Sequence, residues 1–115
     1  MQIFHLAFAS DWEAAVTAGS YRVSTRGASL DEVGFIHCSL AEQLPRVAAF
    51  VYADVDEPLV VLTLDTEELE AGGTVVIFED GGAGEDFPHV YAAIDPSWVE
   101  EVRPARMVDG ALLID

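Results

Sequence analysis

One stretch limits the possible folds more than any other: Leu59-Val60-Val61-Leu62-Thr63-Leu64, which follows Pro58 and is apolar at every position but one. A strand sends alternate side chains to opposite faces, so such a run predicts burial on both faces and a packed layer on each side. With 115 residues the chain has material for one core and too little for two, so a single domain, residues 1–115, is expected. Hydrophobic residues make up 51% of the sequence, which excludes a disordered chain. No apolar run reaches the ~20 residues that a helical membrane span requires. The start, Met1-Gln2-Ile3-Phe4-His5, lacks the basic residues and cleavage site of a secretory signal. Cys38 is the only cysteine, so no internal disulfide framework exists, and a cytoplasmic location is expected.

Around that strand the pattern alternates helix and strand only loosely. Residues 3–8 predict a strand with Phe4, Leu6 and Phe8 on one face and His5 on the other. Ser10-Asp11-Trp12-Glu13 has the form of a capping box and opens a helix that Gly19 closes. Residues 20–33 read as irregular. Residues 35–38 form a short strand, and a second capping box, Ser39 to Glu42, leads into a helix reaching about Tyr52. Pro45 should bend that helix or make it start later. After the central strand, residues 65–69 read as a helical turn closed by Gly72-Gly73, and residues 74–78 as a strand. Gly81-Gly82-Ala83-Gly84 suits a mobile flap, residues 90–94 a strand, and Pro96-Ser97-Trp98 a turn. Residues 99–107 are extended, and Asp109-Gly110 signals a two-residue hairpin before residues 112–114. Two early helices followed by strands predict an α+β fold, helices packed on antiparallel or mixed sheets.

Charge excludes whole classes of partner. Twenty-one acidic residues face five arginines and no lysine, a formal charge of −16. Binding nucleic acid or an anionic membrane means neutralising phosphates with Lys and Arg, so neither is an expected partner. The glycine-rich loop is no phosphate cradle, because no Gly-Lys-Ser/Thr follows and Glu79, Asp80, Glu85 and Asp86 flank it. No His-x-x-x-His or Cys-x-x-Cys spacing points to a metal.

The three histidines carry the chemical signal. By alternation, His37 and Ser39 share one face of their strand while Ile36 and Cys38 take the other; His89 and Tyr91 share a face opposite Val90. If the apolar faces form the core, His5, His37 and His89 emerge together on the second face of one sheet. Adjacent His37 and Cys38 point apart, which rules against a Cys-His nucleophile pair and predicts a buried thiol. Glu79 ends a strand directly before the glycine loop, where a carboxylate can meet a ligand. The expected pocket for a small-molecule ligand is thus lined by His5, His37, Ser39, Glu79, His89 and Tyr91. His37 or His89 is placed to act as general acid or base near neutrality.

Phe4-His5, Gly34-Phe35-Ile36-His37-Cys38-Ser39, Glu42-Gln43-Leu44, Phe78-Glu79 and Phe87-Pro88-His89-Val90-Tyr91 occur in that order. Together they resemble the hallmarks of a small bacterial family catalogued as domain of unknown function 952, over residues 3 to about 104. The layout is also similar, more distantly, to the RNA 2'-phosphotransferase branch of the ADP-ribosyltransferase superfamily. That branch has Tyr-His-Gly-Thr on a first strand, Val-His-Leu-Ser on a later one, and then a Val-Val-Leu-x-Ile-Asp strand. The counterparts are Phe4-His5-Leu6-Ala7, Ile36-His37-Cys38-Ser39 and Val60-Val61-Leu62-Thr63-Leu64-Asp65. This resemblance implies an ADP-ribosyltransferase-like fold, NAD or a related nucleotide in a cleft between two small sheets, and His5 and His37 at that cleft. In a transferase using an NAD-like ribosyl donor, His5 would bond the ribose and Tyr91 would stack on a base. Glu79 would orient the acceptor or stabilise the cationic transition state. Leu6-Ala7 replaces the branch's Gly-Thr, removing the close backbone approach a glycine permits. Five arginines do not repeat that branch's grip on RNA phosphate. A binding or interaction domain that kept the fold without the chemistry is the alternative reading.

Overall fold

A computed structural model describes residues 1–81 and 84–115. In chain order the elements are β1 (Gln2–Phe8), α1 (Ala9–Ala18), β2 (Val23–Thr25), β3 (Ala28–Ser29), α2 (Leu30–Val33), β4 (Ile36–His37) and α3 (Leu44–Val51). There follow β5 (Leu59–Asp65), α4 (Thr66–Ala71), β6 (Val76–Asp80), β7 (Asp86–Val90), a 3-10 turn (Pro96–Trp98), β8 (Glu101–Val108) and β9 (Ala111–Ile114). The fold is α+β. A four-stranded sheet has the order β1-β5-β8-β9, a three-stranded sheet the order β4-β7-β6, and β2 and β3 form a small ribbon. Every pairing is antiparallel.

The apolar run is β5, between β1 and β8, with all six residues from Leu59 to Leu64 buried. Alternation divides it between two cores. Val60, Leu62 and Leu64 pack with Ile36, Cys38, Val90 and Ile94 between the two sheets, and Leu59 and Val61 pack with Leu44, Ala48 and Tyr52 of the α3 region. The two layers demanded by the run are therefore the second sheet and a helix. Cys38 is fully buried, and burial pushes its thiol far up from the ordinary range.

Several local readings change. The helix α1 starts at Ala9 with no side-chain cap, because β1 runs straight into it and the Ala9 N–H donates to the Pro58 carbonyl. Residues 20–33 hold β2, β3 and α2, and the true capping box is there: the Glu32 N–H donates to Ser29 Oγ and the Ser29 N–H to Glu32 Oε1. The second predicted box does not form. Ser39 is held in a backbone bridge to Phe4, the Leu40 N–H donates to Gln43 Oε1, and α3 starts later with Pro45 in its first turn. The strand expected at 74–78 runs Val76–Asp80. The one expected at 90–94 is β7, Asp86–Val90, hidden by Pro88. A proline deprives a strand of one donor only, and the Pro88 carbonyl still accepts from the Cys38 N–H at 3.0 Å. Asp109 and Gly110 both take positive φ, 51° and 79°, as the hairpin signal requires.

The histidines do not share one sheet. His5 lies on β1 of the four-stranded sheet, His37 and His89 on β4 and β7 of the other. Both faces of β1 are covered, so the face opposite Phe4 and Leu6 turns His5 into the core between the sheets. The segment at residues 37–39 joins the sheets, pairing with β7 at His37 and with β1 at Ser39.

Candidate functional site

On the three-stranded sheet, His37 and His89 are direct cross-strand partners, and their ring centroids lie 5.6 Å apart. Alternation adds Phe35, Phe87, Glu79 and Tyr91 to the same face. Phe35 stacks on His89 at 3.9 Å with an interplanar angle of 12°, and Phe87 lies 5.1 Å from His37. Glu79 accepts from His89 Nδ1 at 2.8 Å and from the Tyr91 hydroxyl. Those two hydrogen bonds, that of Tyr91 first, hold the Glu79 carboxyl below its usual range and raise the Tyr91 phenol. An ionised Glu79 can only accept, so Nδ1 of His89 carries hydrogen.

A cavity of about 560 Å³ opens between this face, β2 and α3. Its wall is mostly carbon, from Val33, Phe35, Val47, Phe50, Val51 and Phe87, with His37 and His89 in its floor. Phe50 is 90% exposed at the rim. Arg46 is the only lining cation among the described residues, and both its terminal nitrogens donate to the Glu85 carboxylate, at 3.0 and 2.8 Å. Gln43 Nε2 donates to the Asp86 carbonyl and ties the start of α3 to β7. Burial, reinforced by the neighbouring His89, lowers His37 to about 4, so its ring is neutral at pH 7. Two buried polar atoms without a hydrogen-bond partner, Oγ of Ser24 and Nε2 of His89, belong to residues lining this cavity.

Behind His37 lies a second cavity of about 10 Å³, touched by His5, Thr25, Ser39 and Tyr52. His5 is fully committed. Its Nδ1 donates to the His37 carbonyl at 2.6 Å, since a carbonyl only accepts, which leaves Nε2 to accept from the Tyr21 hydroxyl at 2.8 Å. His5 thus braces one sheet against the other.

Of the six residues expected to line one pocket, His37 and His89 line the large cavity, and His5 and Ser39 reach only the small one. Glu79 and Tyr91 line neither and act through His89. Tyr91 donates its hydroxyl to Glu79, and its ring lies 5.5 Å from that of Phe35. Residues 82 and 83 of the expected flap lie outside the described residues. Sequence reasoning missed Ser24, Phe35, Arg46, Phe50 and Phe87. Phe35 and Phe87 had a signal: each stands two residues before a site histidine, Phe87 within β7 and Phe35 just ahead of β4. Among the described residues no group of three or more His, Cys, Asp or Glu is placed to hold a metal ion, and no helix is long and apolar enough to cross a membrane.

The profile of one family, "Protein of unknown function (DUF952)", matches residues 6–102. The crystal structure of protein CC0527 from Caulobacter crescentus is similar at a TM-score of 0.83 and 27% identity, covering 98% of this chain and 94% of that one. A double mutant of the same protein matches at 0.83 and 26%, with the same coverage. No curated protein matches the sequence.

Proposed function

The chain belongs to the DUF952 family, and on that premise we propose that it is a cytoplasmic small-ligand-binding domain whose site is the cavity floored by His37 and His89. The observation that carries this reading is the pair of unpartnered buried atoms, Ser24 Oγ and His89 Nε2, on residues of one cavity wall. An unmade buried hydrogen bond costs ~1–3 kcal/mol, a cost that a ligand reaching these groups relieves. The volume also falls within the ~300–1,000 Å³ of small-molecule sites. Glu79 orients the His89 ring through Nδ1, and neutral His37 offers both a donor and an acceptor beside it.

Transfer from an NAD-like ribosyl donor, on an ADP-ribosyltransferase-like frame, is the second reading. It is favoured by the meeting of His5 and His37 where the two sheets join. The cavity does not fit the donor's pyrophosphate. Arg46 is spent on Glu85, and Asp80 and Glu85 line the same wall, so a dianion would enter uncompensated. No step through NAD is drawn. The roles suggested for Glu79 and Tyr91 at a ribosyl donor give way to positioning His89.

A thermal-shift screen of aromatic fragments tests the binding reading, with the ring resonances of His37 and His89 as the site marker. A true ligand at a hundred times its Kd adds ~2.7 kcal/mol of stability and moves both rings. Fragments that shift the melting point without moving either ring refute the assignment of the site.

A further inference from the structure

We infer that the ligand is an uncharged, flat aromatic compound that carries a hydroxyl group. This rests on the small-ligand reading of the cavity and adds the shape, charge and polar group of what fills it. The shape follows from the floor. Phe35 stacks on His89 at 3.9 Å, His89 lies 5.6 Å from His37, and His37 lies 5.1 Å from Phe87, a row of four lining rings. Phe50 adds a ring from α3, so a flat ring finds aromatic partners on the sheet and on the helix. The lack of charge follows from how the site treats ions. Arg46 gives both terminal nitrogens to Glu85, so this lining cation and carboxylate neutralise each other, and the exposed Asp80 accepts from the Gly84 N–H. Burial costs His37 its charge, and the same loss of water falls on an ion of either sign seated against the floor. The hydroxyl follows from the two unpartnered buried atoms, Ser24 Oγ and His89 Nε2. A hydroxyl both donates and accepts through one atom, so it completes His89 whether Nε2 bears a hydrogen or a lone pair, and it pairs with Ser24 in either sense. A carbonyl offers only one of these, and a methyl group neither.

Five probes of similar size separate these properties: benzyl alcohol, ethylbenzene, cyclohexylmethanol, benzylammonium and benzoate. Each is titrated against the intact chain by calorimetry, with the ring resonances of His37 and His89 reporting the site. Benzyl alcohol should bind about tenfold more tightly than ethylbenzene, the worth of one hydrogen bond to a buried group otherwise unpaired. It should bind about fivefold more tightly than cyclohexylmethanol, which keeps the hydroxyl and lacks the aromatic ring. Both ions should bind about tenfold more weakly than benzyl alcohol, or less tightly still. Benzyl alcohol affinity should stay within about twofold as salt rises from about 20 to about 300 mM, as an uncharged ligand requires. Any of the other four binding as tightly as benzyl alcohol, with both rings moving, overturns this inference and leaves the cavity reading standing. Failure of all five to move either ring at millimolar concentration overturns both.

Discussion

His5 and His37 are both held neutral, and for one leading cause. Burial strips water from a charge that nothing nearby replaces, and each ring is lowered from 6.5 to about 4. The His37 carbonyl pulls His5 upward, and the Coulombic effect of the second histidine presses further down, so desolvation decides the outcome. The consequence for stability has a definite sign. Between pH 6.5 and about 4 the unfolded chain takes up protons that these native rings refuse, so stability falls as pH drops through that window. Above 6.5 the rings contribute no pH dependence. Each ring can add up to ~1.4 kcal/mol per pH unit, and the half-buried His37 gives less because cavity water screens it. Carboxylates held low by partners, such as Asp54 beside Arg26 and Glu85 beside Arg46, are lost only further down, as pH falls below their ordinary values of 3.8 and 4.5. The fall between pH 6.5 and 5 therefore belongs to histidine. Urea midpoints at pH 7.5, 6 and 5 should decline, and the His5 and His37 rings should stay neutral by NMR to below pH 5. Titration of both near 6.5 would show that neither is desolvated in solution.

At the scale of the element, one glycine holds the wall of the site in shape. A Cβ on Gly81 would stand 2.4 Å from Phe87 Cδ2 and 2.8 Å from Cε2. The Phe87 ring is 8% exposed and packed against His37, so it cannot withdraw freely. Gly81→Ala should cost ~1–3 kcal/mol and disturb the His37 ring. Gly72→Ala is the control. That residue caps α4 at φ −83°, its added Cβ would meet only ordinary contacts at 3.6 Å, and its effect should stay within ~0.5 kcal/mol. Equal urea midpoints for the two variants would mean that Phe87 is looser than its packing implies. Legibility from sequence follows the range of the forces involved. The strand β5 and the Asp109-Gly110 hairpin were readable because an apolar run and a turn pair act locally. The strand β7 was misplaced because Pro88 reads as a break, and its tolerance depends on a bond from Cys38. Alternation put His37 and His89 on the right face. It could not say that His5 belongs to another sheet, since it gives a face and not a neighbour. Arg46 reaches the site only because the start of α3 comes beside Glu85, just ahead of β7, a contact with no local pattern.

For the molecule as a whole, charge is the property with the longest reach. Twenty-one carboxylates share a chain whose radius of gyration is 13.1 Å, so most of them lie within a Debye length of others at low salt. Arg22, Arg26 and Arg46 are each engaged by one carboxylate, Asp31, Asp54 and Glu85, and Arg103 donates to the Asp115 carbonyl, which leaves the acidic excess uncompensated. Such self-repulsion disfavours the compact state. Added salt acts in two directions. It weakens the exposed arginine–carboxylate pairs, which contribute little, and it screens a much larger set of like-charge repulsions. The Debye length shrinks from ~30 Å at 0.01 M to ~8 Å at 0.15 M, which removes the long-range repulsions before it touches pairs in contact. The second effect wins, so the melting temperature by circular dichroism should climb as sodium chloride rises over that range. The same field should leave no measurable affinity for single-stranded or duplex RNA at physiological salt, because a polyanion meets no row of cations to release its counterions. A melting temperature that falls with salt would place the balance with the ion pairs. Micromolar RNA binding that weakens steeply with salt would reveal a cationic surface that five arginines, four of them engaged, do not supply.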